Sequence, residues 1–152
     1  MANLQNLLRN SLQQKSLDDI CASISVKYSR HKEHPNLISF HYISITNSFD
    51  NLCTCESRGI VLDESDNWKI ISYPYNKFFN YGEKNAAIID WSSAKFFEKI
   101  DGSFMTLYFY KNKWYISSSS KPDATGRIGA KVVHPIIKFQ TSISIIDSKF
   151  LM

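Results

Sequence analysis

No run of apolar residues in this chain approaches the roughly 20 that a membrane-spanning helix requires. The first residues, Met1-Ala2-Asn3-Leu4-Gln5-Asn6, carry neither the basic nor the apolar segment of a secretory signal. These two absences point to a cytoplasmic protein with no membrane partner. Cysteine is scarce: Cys21, Cys53 and Cys55 are odd in number and lack CxxC spacing, which excludes a disulfide framework and fits a reducing compartment. A zinc site drawn from Cys53, Cys55, His31 and His34 has spacings that match no common finger, so the plainer reading is buried or idle thiols. His41 and His134 read as ordinary partly buried or surface histidines. There is no internal repeat and no true linker, and the serines at 117–120 are too few to count as low complexity. Nor is there an acidic excess. Lys and Arg number 18 against 14 Asp and Glu, a net charge of +4 that suits a polyanionic partner without requiring one.

What is present is enough for a packed domain. The 152 residues are 43% hydrophobic and 14% aromatic, which excludes global disorder and sets the chain at one domain or part of a larger one. Leu4, Leu7, Leu8 and Leu12 recur at helical spacing and predict an amphipathic helix over 3–14. Ser16-Leu17-Asp18-Asp19 predicts the capped start of a second short helix reaching residue 25. From Asn36 onward the pattern turns to β, with a strand over 37–45 and a polar loop over 46–51. Strands over 59–62 and 69–73 flank the polar turn 63–67, and strands over 104–110 and 114–119 flank Lys111-Asn112-Lys113, as two hairpins would. Residues 126–139 read as helical, with Pro135 kinking or ending the helix. The class is α+β with a mostly antiparallel sheet and an N-terminal helix.

Four clusters carry candidate chemistry. The first is Glu98-Lys99-Ile100-Asp101-Gly102-Ser103. A lysine followed by x-Asp-Gly can carry a nucleotide as a phosphoramide, provided its amine is unusually weakly basic, since an ammonium cannot attack. Average residue usage gives Lys-x-Asp-Gly by chance in about one chain in thirty of this length, so its neighbours must decide. The second is Glu56-Ser57-Arg58-Gly59, where Arg58 can fork onto phosphate or ribose oxygens and Gly59 permits close backbone approach. The third is Pro74-Tyr75-Asn76-Lys77-Phe78-Phe79-Asn80. Its rings would wall a pocket, and Lys77 would depress the basicity of a nearby lysine by charge repulsion. The fourth, Ser117-Ser118-Ser119-Ser120-Lys121 through Gly126, offers hydroxyls and a cation to phosphate or RNA. Each has a plainer reading as a surface turn, a solvated cation or a core ring.

As an ordered set these clusters resemble ATP-dependent RNA ligases of the bacteriophage RNA ligase one type. Members of that family show, in order, a strand ending in an aromatic, Arg-Gly, Lys-Phe-Phe-Asn, Lys-x-Asp-Gly-Ser and a Thr/Ser-rich strand leading to Asp-Ala-Ser-Gly. Here the matching stretches are Ser39-Phe40-His41-Tyr42, Arg58-Gly59, Lys77-Phe78-Phe79-Asn80, Lys99-Ile100-Asp101-Gly102-Ser103 and 118–126. The Lys-Phe-Phe-Asn element favours this branch over DNA ligases and capping enzymes, which share Lys-x-Asp-Gly. The resemblance implies a ligase/capping-type nucleotidyltransferase domain that uses ATP and Mg²⁺. Lys99 would form lysyl-AMP, AMP would pass to an RNA 5′-phosphate, and an RNA 3′-hydroxyl would displace it. Phe40, Arg58, Lys77, Asp101, Gly102 and Ser118 would bind the nucleotide. Phe40 stands where tyrosine is usual, and Ser120 where glycine is common.

The family pattern continues with a Glu-bearing strand, a Glu-Gly element and a Lys-x-Lys strand, and nothing in 127–152 matches them. The expectation is therefore the N-terminal portion of one such domain, spanning 1–152 and incomplete at its C-terminus. Such a portion would be impaired alone, weakly stable or prone to associate, with a second chain as one source of the missing motifs. The alternative is a non-catalytic remnant that binds nucleotide, RNA or only a partner. A third reading, a basic RNA-binding domain, would use Tyr108, Tyr110, Trp114 and Tyr115 as stacking platforms.

Overall fold

A computed structural model describes residues 1–44, 49–97 and 102–124, with backbone alone at 127–128 and 131–132. Helix α1 (Asn3–Ser11) carries the leucine stripe, and Leu4 and Leu8 are fully buried. Helix α2 (Leu17–Ser23) starts at Ser16, whose Oγ accepts the Asp19 N–H at 3.1 Å, as the sequence predicts. Strands β1 (Val26–Arg30), β2 (Leu37–Tyr42), β3 (Arg58–Asp63) and β4 (Lys69–Ser72) form an antiparallel sheet in sequence order. A five-residue helix α3 (Leu52–Glu56) precedes β3, capped by Asn51 Oδ1 accepting the Cys53 N–H at 2.9 Å. The hairpin β5 (Met105–Tyr110) and β6 (Lys113–Ser118) pairs in register from Met105↔Ser118 to Tyr110↔Lys113.

The sheet has two covered faces, and period-two alternation assigns residues to each. Ile38, Phe40, Ile60 and Leu62 turn toward the helices and pack with Leu4, Leu8, Ile20 and Trp68. Leu37 and Val61 turn the other way and pack against Tyr108 of the hairpin. Polar groups fix that second contact. Asp63 accepts hydrogen bonds from Tyr110 Oη at 2.9 Å and Asn36 Nδ2 at 2.8 Å. Tyr108 Oη donates to the Pro122 carbonyl at 2.7 Å. The hairpin's outer face leaves Met105, Leu107, Phe109 and Trp114 exposed.

Three expectations change. The β pattern begins at Val26, ten residues before Asn36, because Val26-Lys27-Tyr28-Ser29-Arg30 already alternates inward and outward. The short α3 was not anticipated, since five residues carry too little periodicity to be read. In place of the start of a helix over 126–139 there are two short antiparallel strands, β7 (Arg127–Ile128) and β8 (Lys131–Val132). β-Branched Ile128 and Val132, with Gly129-Ala130 between the strands, suit a hairpin better than a helix. The rest of that stretch, including Pro135 and His134, lies outside the described residues, as do residues 46–48 of the loop expected over 46–51 and its flanking Ile45. No helix among the described residues is long and apolar enough to cross a membrane.

Candidate active site

A β-bulge aims the arginine of the second cluster. Phe40 opposes Ile60, but the next residue of β2, His41, opposes Arg58, so Gly59 is an extra residue in β3. Strict alternation from Ile60 would turn Arg58 toward the helices. The bulge, with Gly59 at φ +95°, turns it toward the hairpin instead. Its guanidinium lies between two rings, 4.5 Å from the Phe78 centroid and 5.0 Å from that of Phe104, and Nη1 donates to the Asn76 carbonyl at 3.4 Å. Three of the sequence clusters thus meet at one side chain: Arg-Gly, Lys-Phe-Phe-Asn, and the phenylalanine that follows Asp-Gly-Ser.

Around Arg58 is a cleft of about 680 Å³, lined by His41 and Ser57, by Gly102 and Phe104, and by the 118–121 turn with Asp123. Gly59 brings the turn close. A Cβ there would sit 2.8 Å from the Ser118 carbonyl oxygen and 3.0 Å from Ser119 Cα. The close approach this glycine permits is therefore to the strand end that carries the serines. The turn closes on itself: Ser118 N–H donates to the Lys121 carbonyl at 2.9 Å, and Ser118 Oγ accepts Lys121 N–H at 3.1 Å and Ser120 N–H at 3.4 Å. With both contacts accepted, the hydroxyl proton of Ser118 is left to donate to an acceptor in the cleft. Asp123 is buried, and its Oδ2 accepts the Lys32 N–H at 3.3 Å.

Of the seven residues singled out in the sequence, Arg58, Gly102 and Ser118 line this cleft. Lys77 lines a neighbouring pocket of about 330 Å³, where its Nζ lies 4.6 Å from the Phe79 centroid and donates to the Phe78 carbonyl at 2.6 Å. The two spaces adjoin, since Tyr42 of the cleft packs edge-on against Phe49 of the pocket at 4.9 Å. Phe40 is fully buried in the helix-side core, beside Tyr28 and Trp68. Lys99 and Asp101 lie outside the described residues.

His41, which the sequence reads as an ordinary partly buried or surface histidine, lines the cleft. The available signal was its place after Phe40 in an alternating strand, but alternation says which face it shares, not what covers that face. Burial and the nearby Lys27 charge hold its imidazole below the ordinary histidine pKa, and its Nδ1 is buried without a hydrogen-bond partner. His31 and His34 instead pack on the tyrosines of the hairpin, His34 Nε2 lying 2.7 Å from Tyr115 Oη. Among the described residues no three His, Cys, Asp or Glu side chains gather to hold a metal ion, so the drawn zinc site does not form. The described donor set likewise offers Mg²⁺ no cage of protein ligands. Of the rings expected as stacking platforms, Trp114 is exposed, whereas Tyr108 is buried in the hairpin–sheet contact.

A family model described as RNA ligase matches residues 56–142. Over 128 residues, 78% of this chain, the sequence is 27% identical to a protein of Autographa californica nuclear polyhedrosis virus provisionally named a bifunctional polynucleotide kinase/RNA ligase; the match covers 18% of that protein. Over 120 residues, 64% of this chain, it is 30% identical to an RNA ligase of Rhodothermus phage RM378, covering 27% of that protein. The chain therefore spans less than a third of the length of either relative. In both, the matching stretch is part of one longer chain, which lends no support to a second chain as the source of further motifs.

Proposed function

The chain belongs to the RNA ligase family, and from that premise we propose that it carries the nucleotide-handling site of an ATP-dependent RNA ligase, with Lys99 as nucleophile. The neutral amine of Lys99 attacks the α-phosphorus of ATP; an N–P bond forms and pyrophosphate leaves. The AMP then passes to an RNA 5′-phosphate, and an RNA 3′-hydroxyl displaces it to seal the strand. The observation that carries this reading is the placing of Arg58 between Phe78 and Phe104 on the wall of the cleft. A planar cation packed over two rings is partly oriented before phosphate arrives, and its fork can then stabilise charge that builds during attack.

The remaining parts fit the same job. Gly102, three residues after Lys99, lines the cleft, and three residues of chain span at most about 11 Å. The Ser118 hydroxyl donates to a phosphate or ribose oxygen, and Lys121 adds positive charge at the rim. Lys77, in the adjoining pocket, is assigned to the charge of the triphosphate. Asp101 is assigned to the nucleotide with Lys99. Phe40 acts from beneath, its buried ring holding β2 so that His41 stands beside Arg58.

Intact-protein mass spectrometry after incubation with ATP and Mg²⁺ tests the proposal, with Lys99→Ala alongside. The expected result is a mass gain of one AMP that is absent in Lys99→Ala. Absence of both an adduct and an ATP-induced rise in melting temperature overturns the reading. A rise in melting temperature without an adduct replaces it with a nucleotide-binding module that lacks the chemistry.

A further inference from the structure

Arg58 is the inner end of a row. Across β1 and β2, Lys27 opposes His41; across β2 and β3, His41 opposes Arg58. Directly opposed residues of an antiparallel ladder put their side chains on one face, with Cβ atoms roughly 5 Å apart. Three basic side chains therefore cross three adjacent strands, from the cleft wall to the strand at the sheet edge. β1 is the first strand in the sheet order, and Lys27 on it is exposed. The influence of the Lys27 charge on the His41 ring fits their standing side by side. The next row on the same face, Ser29–Ser39–Val61, contains no carboxylate. In the cleft itself the Asp123 carboxylate is buried and engaged by the Lys32 amide.

A cleft of about 680 Å³ has room for a nucleotide but not for a polymer. A polynucleotide whose end reacts there must leave across some surface, and a row with a cation at each end, Arg58 in the cleft and Lys27 at the sheet edge, meets its charge on the way out, with the neutral His41 ring between them as a hydrogen-bonding group. We propose that the Lys27–His41–Arg58 row is the track along which the phosphodiester backbone of the 5′-phosphate-bearing RNA strand runs out of the cleft and over β1. The inference rests on the RNA ligase reading above and adds to it the path and polarity of one substrate strand.

Fluorescence anisotropy with a 5′-phosphorylated, 3′-labelled single-stranded oligoribonucleotide of about 12 nucleotides tests it on the full chain over a series of salt concentrations. Lys27→Glu is compared with Lys69→Glu, an equal charge change on β4 at the opposite edge of the sheet. Lys27→Glu is expected to weaken binding roughly tenfold and to flatten the plot of log affinity against log salt by about one unit, while Lys69→Glu stays within about twofold of the parent. Equal loss in the two variants, or parent-like binding by Lys27→Glu, overturns the track. AMP loading is read in the same samples. If the adduct forms but the parent binds no RNA, the track fails and the adenylylation chemistry stands. If the adduct also fails to form, the fault lies with the underlying reading.

Discussion

The guanidinium of Arg58 and the missing side chain of Gly59 act together. Two cation–π contacts at exposed sites are worth about 0.5–1 kcal/mol each, and both hold Arg58 in one orientation. Arg58→Ala should slow AMP loading at least roughly tenfold in single-turnover mass spectrometry, because it removes the fork as well as the charge. Its melting temperature should fall by no more than about 2–8 °C, the loss of those two contacts from a half-buried side chain. Gly59→Ala should behave in the opposite way. Its new methyl would meet the Ser118 carbonyl at 2.8 Å on a backbone already at φ +95°. A loss of about 2–3 kcal/mol in urea unfolding is expected, and AMP loading should fall as the serine turn is displaced. Parent-like stability in Gly59→Ala would show that β3 and the turn do not pack as closely as described.

At the scale of elements, the second sequence cluster proves to serve two faces of the sheet. Arg58 looks into the cleft, whereas Glu56, two residues earlier, reaches the start of α1. Helix α1 has Ala2 at its N-cap, and no side chain there caps it. The buried Glu56 carboxylate supplies the cap from α3, accepting Asn3 N–H at 3.0 Å and Leu4 N–H at 2.8 Å, with Asn3 Nδ2 at 2.7 Å. Exposed N–H groups and the positive end of the helix dipole both favour an anion there. Glu56→Ala leaves two backbone amides and the Asn3 side-chain amide without this acceptor and should cost about 3 kcal/mol in chemical denaturation. Glu56→Gln keeps one acceptor oxygen and should fall between the two. Capping by a distant residue leaves no trace in the local sequence, because the 53-position separation of Asn3 and Glu56 follows no spacing rule.

For the whole molecule, the β1–β2 connection, the hairpin and the cleft turn are joined near His31, and this joint is sensitive to pH. His31 is buried, and its Nδ1 accepts the N–H groups of Glu33 at 3.1 Å and His34 at 3.2 Å. Those bonds need a neutral ring. Desolvation lowers its pKa, with the Asp123 charge pulling the other way, so the folded value lies below the ordinary 6.5. The unfolded state therefore binds the proton first. The stability His31 contributes is full above pH about 6.5 and is lost as pH falls toward the lowered folded value. His41, also lowered, adds in the same direction. Urea midpoints should drop by an amount equivalent to about 1 kcal/mol between pH 7 and 5. His31→Asn, whose Oδ1 can accept the same two amides without titrating, should flatten that slope. An unchanged slope would assign the pH dependence elsewhere.

Much was legible in the chain itself: the leucine stripe of α1, the serine cap of α2, both hairpins around their polar turns, and the ordered clusters that place the chain in its family. These depend on spacing within a few residues, which sequence records directly. The tertiary structure decided what spacing cannot. A one-residue bulge at Gly59 reverses the face on which Arg58 stands. Phe40, alike in type to a pocket-wall aromatic, is taken into the core because α1 and α2 cover that side of the sheet, whereas His41, on the other face, lines the cleft with the end of the hairpin. Which face of a strand is core and which is site depends on what packs over it. That is settled by contacts between residues far apart in the chain.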